Sequence, residues 1–417
     1  MAHEIDPHHL VLMMHAKYGS RRRDGAPGRP DTKDQILEHG IGHDPDTNIQ
    51  TKRILDAFSS LAVHKPKTQV VAFALQSDSA KKEIHLTIAE NKNVPVGLDT
   101  YVKEIWEGLR KLSESYASSR PEGSDEDGRL LEAARRVPVG LPLEVEIYRT
   151  ISQHTVAKQL KRVEARIVPL MKFMYEVFAY RGDTFPQDFD QNLYTFTDEE
   201  WEFIFRAGMA VRDEAAIVLT AGDHFGCERL AEEVNLSRER PEYASVEHPA
   251  EYPFPLWRTI EKLISQSGYL DNLFEFATSP HLSPALQSSL IVSMVPNQTC
   301  PAKLPGSREA CESILIAEDL GDPADRREVA GKLAEYDTKT CPIHCECKLV
   351  QHFKTRQGNQ VDVIPLFNYL AVSKLSGGAC RIWLEAVNEL GEQQFYTRGS
   401  HGAWYWPWGM PTAVYSF

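Results

Sequence analysis

Helical and strand-like patterns alternate from residue 301 to the C-terminus, and this alternation constrains the fold more than any other feature of the sequence. Apolar runs that suit buried strands are separated by segments with helical composition. In order, the patterns predict a helix at 324–336, a helix through 348–354, a strand within 363–373, a helix at 379–387 and a strand at 395–397. Helices that alternate with strands favour an α/β layered core, so this part of the chain is predicted to form an α/β domain.

The sequence before residue 301 lacks this alternation and predicts a mostly helical region with one β-hairpin. Residues 70–75 and 83–88 have strand character, and the polar residues between them suit a hairpin turn. Nearly all of the chain from 129 to 290 shows helical spacing, and the pattern continues through residues 283–294.

A polar, aperiodic segment at 116–128 is interpreted as a linker. A chain of 417 residues is long enough for about two or three domains. The sequence therefore divides into an N-terminal α+β region at 1–115, the linker at 116–128, a helical domain at 129–300 and the α/β domain at 301–417.

Charge and composition narrow the class of function. The net charge of -13 does not provide the broad basic surface with which a general DNA- or RNA-binding protein neutralises phosphates. No apolar run reaches the roughly eighteen residues of a membrane span. The first residues also lack the basic and apolar regions of a secretory signal. We therefore expect a protein of the cytoplasm or nucleus with no membrane partner.

The residues that carry chemistry lie at the starts of two predicted helices. His344, Cys345 and Glu346 satisfy the pattern His-x-Glu, and Cys380 stands at the start of the later helix. A zinc-dependent deaminase needs three His or Cys ligands, a water molecule at the open fourth position and a Glu that transfers protons without binding the metal. Helix N-termini add partial positive charge beside that water molecule. The arrangement of these residues is consistent with such a site.

Four short stretches make the sequence resemble the OTT-like deaminases, a mostly fungal branch of the cytidine-deaminase-like superfamily. They are Ile343-His344-Cys345-Glu346, Ala371-Val372-Ser373-Lys374-Leu375-Ser376, Ala379-Cys380-Arg381-Ile382-Trp383 and Tyr396-Thr397-Arg398-Gly399-Ser400-His401-Gly402. The resemblance implies a three-layer cytidine-deaminase-like fold and a hydrolytic deaminase that uses Zn2+. It makes His344 and Cys380 zinc ligands and Glu346 the proton shuttle. The implied substrate is a nucleobase, a nucleotide or a nucleic acid.

The third zinc ligand that the resemblance implies is missing. A cysteine is expected three residues before Cys380, and Gly377 occupies that position. One interpretation is that Cys347, on the same helical face as His344, or Cys341, just before the helix, takes its place. A second is that the site is catalytically degenerate and the domain serves as a binding or scaffold module. A third is that the cysteines are buried small apolar side chains.

Two further groups of side chains lie near the chain ends. Next to His401 stands the aromatic cluster Trp404-Tyr405-Trp406-Pro407-Trp408. These residues can form a rim that binds a flat base of the substrate, or the tryptophans can pack the C-terminus onto the sheet. Packing is favoured for the tryptophans. The N-terminal histidines lack carboxylate or cysteine partners at ligand spacing, and solvated positions are expected for His3, His8, His9 and His15.

Overall fold

A computed structural model gives the fold of the chain. The described residues are 6–18, 45–66, 69–118, 141–179, 256–302, 307–317, 323–333, 339–358, 364–391 and 393–411. Their contacts divide the chain into two compact units. The described residues of 1–63, 68–140 and 276–417 form the sheet unit, and those of 64–67 and 141–275 form the helical unit.

The secondary structure is mixed in the first part of the chain and alternates in the last part. Before residue 303 the elements are α1 (Pro7–Tyr18), α2 (Pro45–Leu61), β1 (Val71–Asp78), β2 (Glu83–Glu90), α3 (Leu98–Ser118), α4 (Leu141–Ala179), α5 (Leu256–Thr278), a 3-10 helix (Ser283–Gln287), β3 (Ser289–Met294) and β4 (Thr299–Ala302). The later elements are α6 (Arg308–Ala317), α7 (Pro323–Leu333), β5 (Lys339–Pro342), α8 (Cys345–Gly358), β6 (Tyr369–Val372), α9 (Gly378–Leu390) and β7 (Tyr396–Thr397).

The helical unit contains α4 and most of α5, in agreement with the helical patterns of the sequence. Buried polar side chains join the two helices: Thr155 Oγ1 donates to Gln266 Oε1 at 3.2 Å. Arg162 Nη1 donates to Ser265 Oγ at 2.7 Å. Throughout the described ranges, no helix has both the length and the apolar character needed to cross a membrane.

The main sheet of the sheet unit has five strands in the order β3-β2-β1-β6-β7. β1 and β2 form the predicted antiparallel hairpin, with Val71 opposite Glu90. β6 pairs antiparallel with the other side of β1, so that Ala72 lies opposite Val372. β7 is parallel to β6, and β3 is parallel to β2. β4 and β5 form a separate antiparallel pair.

Helices pack on both faces of β1. Its side chains alternate between the faces, and Ala72 and Ala74 belong to a core cluster with Phe353 of α8. On the other face, Phe73 contacts Phe58 of α2, with 6.3 Å between the ring centroids. Burial of both faces explains why β1 begins as a continuous apolar run instead of an alternating one.

A partly buried hydrogen bond also connects α2 to the sheet. The Tyr369 hydroxyl on β6 donates to Asp56 Oδ1 on α2 at 2.6 Å. Burial raises the pKa of Asp56, and the Tyr369 hydrogen bond partly opposes this rise. The helix is therefore fixed to the middle of the sheet by a polar contact as well as by aromatic packing.

One secondary-structure prediction needs correction. The helix predicted at 283–294 is wrong, because this segment is a short 3-10 helix followed by strand β3. Its apolar residues satisfy either pattern, and pairing with β2 decides between them. The strand predicted within 363–373 is present as β6, and Leu366, ahead of it, forms an isolated bridge with Gln76 of β1.

The division of the chain into domains also differs from the sequence-based expectation. The hairpin of the predicted region 1–115 completes the sheet that contains β6 and β7 of the predicted domain 301–417. The helical domain predicted at 129–300 includes β3 and the first half of β4, which belong to the sheet unit. Residues 119–128 of the predicted linker lie outside the described residues, as do residues 180–255.

Candidate metal centre

The candidate centre begins at the N-terminus of α8. His344 directly precedes the helix, and its carbonyl oxygen accepts the Lys348 N–H at 2.9 Å. The N–H groups of a first helical turn have no acceptor within the helix, and that of Cys345 donates to Asn91 Oδ1 at 2.8 Å. Glu346 lies in the same turn, where the partial positive charge of the helix end favours a carboxylate.

The second part of the centre is the N-terminus of α9. Gly377 is the N-cap residue and provides no side-chain cap. Its neighbour Gly378 donates its N–H to the Ala403 carbonyl oxygen at 2.8 Å, so the C-terminal segment supplies an acceptor for this helix end. Cys380, in the first turn, is fully buried.

The structure brings together three of the side chains that the sequence indicates. His344 Nδ1 lies 3.1 Å from Cys380 Sγ. One ligand atom from each of His344, Cys380 and Glu346 lies within 4.8 Å of the other two, and we call these three residues the donor group. Glu346 is only 3% exposed. Zinc binds nitrogen and oxygen at about 2.0–2.2 Å and sulfur at about 2.3 Å, so the donor atoms are close enough to share one ion.

The two candidates for the missing ligand occupy different places. Cys347 is fully buried on α8 and is hydrogen-bonded to Cys380. Cys341 is also buried, but it lies on β5 opposite Cys300 of β4. In the part of the chain that the structure describes, neither Cys347 nor Cys341 is a member of the donor group. Cys347 is therefore the candidate in contact with a member of that group.

Burial and mutual contact control the titration of the donor atoms. Burial raises the pKa of the Cys380 thiol and of the Cys347 thiol. Burial alone lowers the pKa of His344, but the adjacent Cys380 sulfur raises it to about 9. Histidine binds zinc as the neutral imidazole and cysteine as the thiolate, so metal binding at this site would release the protons that these groups carry.

A tryptophan of the C-terminal segment contacts the same sulfur. Trp408 Nε1 donates to Cys380 Sγ at 3.3 Å, and its side chain is buried. Trp408 and Trp404 share a core cluster with Cys347 and with Val11 of α1. The tryptophans thus pack the C-terminal segment against α8 and α9, at the helix ends that carry the cysteines, whereas the sequence suggested packing onto the sheet.

Helix α1 is fixed to this segment by two histidines. His8 is 6% exposed, its Nδ1 lies 2.8 Å from Asp6 Oδ1, and its Nε2 accepts the Met410 N–H at 3.1 Å. His15 Nδ1 lies 2.8 Å from the Trp404 carbonyl oxygen. The prediction that His8 is solvated is therefore wrong, because the packing of α1 on the C-terminal segment buries the His8 side chain.

His401, the predicted substrate contact, forms hydrogen bonds within its own segment. Its Nδ1 accepts the Ala403 N–H at 3.1 Å, and its Nε2 lies 3.3 Å from the Tyr405 hydroxyl oxygen. The two rings meet edge to face, with 5.2 Å between their centroids. His401 is outside the donor group, so a role in substrate binding stays a prediction.

The position of the missing cysteine is closely packed. A Cβ atom built on Gly377 would lie 3.3 Å from the Tyr405 ring and 3.4 Å from the Ala403 carbonyl oxygen. Tyr405 is 40% exposed, so its ring has room to move away. The backbone at Gly377 is extended and suits any residue.

Replacing Gly377 with Cys should strengthen zinc binding by more than about tenfold, because the resemblance to the OTT-like deaminases implies a zinc-binding thiolate at this position. Competition with a chelator measures the affinity, and Gly377→Ala is the matched control because it adds the Cβ atom without sulfur. Equal affinities of the Cys and Ala variants would show that residue 377 does not face the metal.

Two residues at the centre were missed by the sequence reasoning. Asn91 caps α8, and Lys348 is completely buried in its first turn. Burial lowers the pKa of Lys348 to about 8. The available signals were a polar pair, Glu90 and Asn91, directly after an apolar strand, and a lysine one helical turn after His344.

Comparison with known proteins gives one family. The family model described as OTT_1508-like deaminase matches residues 343–412, which include the whole donor group. No curated protein and no solved structure matches the chain. The matched range begins one residue before His344 and covers α8, β6, α9 and β7.

Proposed function

Because residues 343–412 belong to the OTT-like deaminase family, we propose that this protein is a zinc-dependent hydrolytic deaminase of a nucleobase, a nucleotide or a nucleic acid. The observation that carries the proposal is the donor group at the N-termini of α8 and α9, with its ligand atoms within 4.8 Å of one another. We also propose the three-layer arrangement of this superfamily, which is supported by the packing of α8 and α2 on opposite faces of β1.

The donor set suits zinc chemically. An imidazole nitrogen and a thiolate sulfur are preferred zinc donors, and a nitrogen and a sulfur bound to one ion lie no more than about 4.4 Å apart by the usual bond lengths. The separation of 3.1 Å between His344 Nδ1 and Cys380 Sγ lies within this limit. The N–H of Trp408 would stabilise the thiolate by a hydrogen bond and orient it.

We propose Cys347 as the third protein ligand. It is already hydrogen-bonded to Cys380, and both sulfurs are completely buried. Cys341 is less suitable, because it belongs to the β4–β5 pair and precedes α8. With three protein ligands, one coordination position stays open for water or substrate.

Glu346 performs the proton transfers in this proposal. Zinc at this site would lower the pKa of a bound water molecule towards neutrality. The Glu346 carboxylate would take one proton from the attacking water and pass it to the ring nitrogen. It would then take the proton of the new C–OH group and pass it to the amino group, which leaves as ammonia. Burial of Glu346 to 3% exposure keeps bulk water away from this carboxylate. Asn91 holds the turn that carries it by capping Cys345.

One observation favours a second function, that of a degenerate deaminase fold used as a binding module. The Glu346 carboxylate lies close enough to His344 and Cys380 to bind the metal itself. A carboxylate that binds zinc as third ligand cannot also serve as the proton shuttle. The chain would then retain a metal centre without hydrolytic activity.

Metal analysis of the purified protein tests the proposal. The wild type should contain about one zinc ion per chain, and His344→Ala should lose most of it because a nitrogen donor is removed. His352→Ala is the matched control, since His352 lies on the same helix and stacks edge-on against Phe353 outside the donor group. A wild type without zinc would overturn the proposed hydrolytic mechanism.

A further inference from the structure

The first turn of α8 contains a lysine whose entire side chain is buried. Lys348 is 0% exposed. Its Nζ donates to the Glu90 carbonyl oxygen at 2.6 Å and to Asn297 Oδ1 at 2.8 Å, and the Asn91 carbonyl oxygen lies 3.3 Å away. An ammonium group has three protons, so these acceptors can satisfy all of its donors.

The acceptors belong to segments that are far apart in the sequence. Glu90 is the last residue of β2 and Asn91 directly follows it, whereas Asn297 lies between β3 and β4. The Asn91 side chain also accepts the Cys345 N–H, so the end of β2 contacts α8 at two points. We call Lys348, Glu90, Asn91 and Asn297 the Lys348 clamp.

The energetic cost of burying the Lys348 ammonium group indicates a role beyond packing. Burying an ammonium group is unfavourable unless hydrogen bonds compensate the lost hydration, whereas an apolar side chain of similar length has no such hydration to lose. The neighbours of Lys348 in the helix, Cys347 and Leu349, are themselves completely buried in apolar clusters. The charged residue is therefore placed where it can connect separate segments through directional bonds.

The consequence concerns the donor group. His344 and Glu346 stand within one turn of Lys348, and the His344 carbonyl oxygen accepts the Lys348 N–H. Cys380 is carried by another helix, so its distance from His344 depends on how the start of α8 is held. We propose that Lys348 is a positioning residue, which, through the clamp, fixes the start of α8 and thereby the geometry of the donor group. This inference rests on the proposed metal-binding function only for its effect on zinc affinity.

The test uses the full chain with the variants Lys348→Met and Asn297→Ala. Hydrogen exchange of the Cys345 amide should accelerate by at least about tenfold in both variants, since its bond to Asn91 loses support. Exchange of the Phe367 amide, which donates to the Leu75 carbonyl oxygen in the sheet region, should stay unchanged. Zinc affinity should fall by about 10–100-fold, as it does when partners that orient metal ligands are removed.

Two controls separate positioning from a general loss of stability. Lys354→Met alters another lysine of α8, one whose Nζ lies 5.7 Å from the centroid of the Phe395 ring, and should change neither measurement. Asn297→Asp keeps an oxygen acceptor for Lys348 and should restore both values towards wild type. If the wild type binds no zinc, the proposed function fails, but the exchange of the Cys345 amide still decides the clamp. Unchanged exchange in Lys348→Met and Asn297→Ala, or equal acceleration at Phe367, would overturn the inference.

Discussion

Replacing Glu346 with Gln should lower deamination by at least about 100-fold while the zinc content stays near that of the wild type. Gln has nearly the same size and keeps one acceptor oxygen, but it cannot take a proton from water and pass it on. Because Glu346 is 3% exposed, solvent has little access through which to replace the lost base. Ammonia release from cytosine- and adenine-containing bases, nucleotides and single-stranded nucleic acids measures turnover.

The metal content of this variant decides between the two candidate functions. A loss of zinc in Glu346→Gln would identify the carboxylate as a ligand and favour the degenerate module. Retained zinc with wild-type turnover would contradict the shuttle role. Glu385→Gln is the control. Glu385 is an exposed carboxylate on α9 that is not part of the donor group, and its Oε1 lies 2.6 Å from Arg381 Nε.

Replacing Phe353 with Ala should lower the free energy of unfolding by about 3–5 kcal/mol, the usual cost of removing a buried aromatic ring. Phe353 is 2% exposed and shares its cluster with Ala72 and Ala74 of β1 and with Leu384 of α9. The small alanines leave a space on the sheet that this ring fills, and they cannot expand to close the cavity. Urea unfolding followed by circular dichroism measures the change.

Ile382→Ala provides the comparison for this substitution. Ile382 lies on α9 and is 52% exposed, so its loss should change the free energy of unfolding by less than about 0.5 kcal/mol. A cost below about 1 kcal/mol for Phe353→Ala would mean that α8 does not pack on β1 as described.

The three residues of the donor group and the β-hairpin could be predicted from the sequence, because their signals are local. His344, Glu346 and Cys380 were identified from the pattern His-x-Glu, from their positions at predicted helix starts and from the resemblance to the OTT-like deaminases. The hairpin was found through two apolar runs separated by a polar turn. The hairpin signal lies within about twenty residues of the chain, and each helix-start signal lies within one segment of its own.

Features that depend on distant contacts were not predictable in this way. The pairing of β1 with β6 joins residues from opposite ends of the chain, and neither strand indicates its partner. A lysine within a helix usually lies on the exposed face, so the sequence around Lys348 gives no sign that it is buried. Its burial depends on contacts with the Glu90 carbonyl oxygen and with Asn297 Oδ1, which are distant in sequence. The hydrogen bond from Trp408 to Cys380 likewise depends on how the C-terminal segment returns to α9.

The pairing of β1 with β6 has a consequence for how the protein is made. During synthesis the β1–β2 hairpin leaves the ribosome long before β6. One edge of β1, the central strand of the sheet, therefore stays unpaired until most of the chain has been synthesised. Closing so long a loop is entropically costly and makes folding slow. A fragment that starts at residue 301 would contain the donor group but lack β1, β2 and α2, and it would expose the edge and faces of β6 that these elements cover.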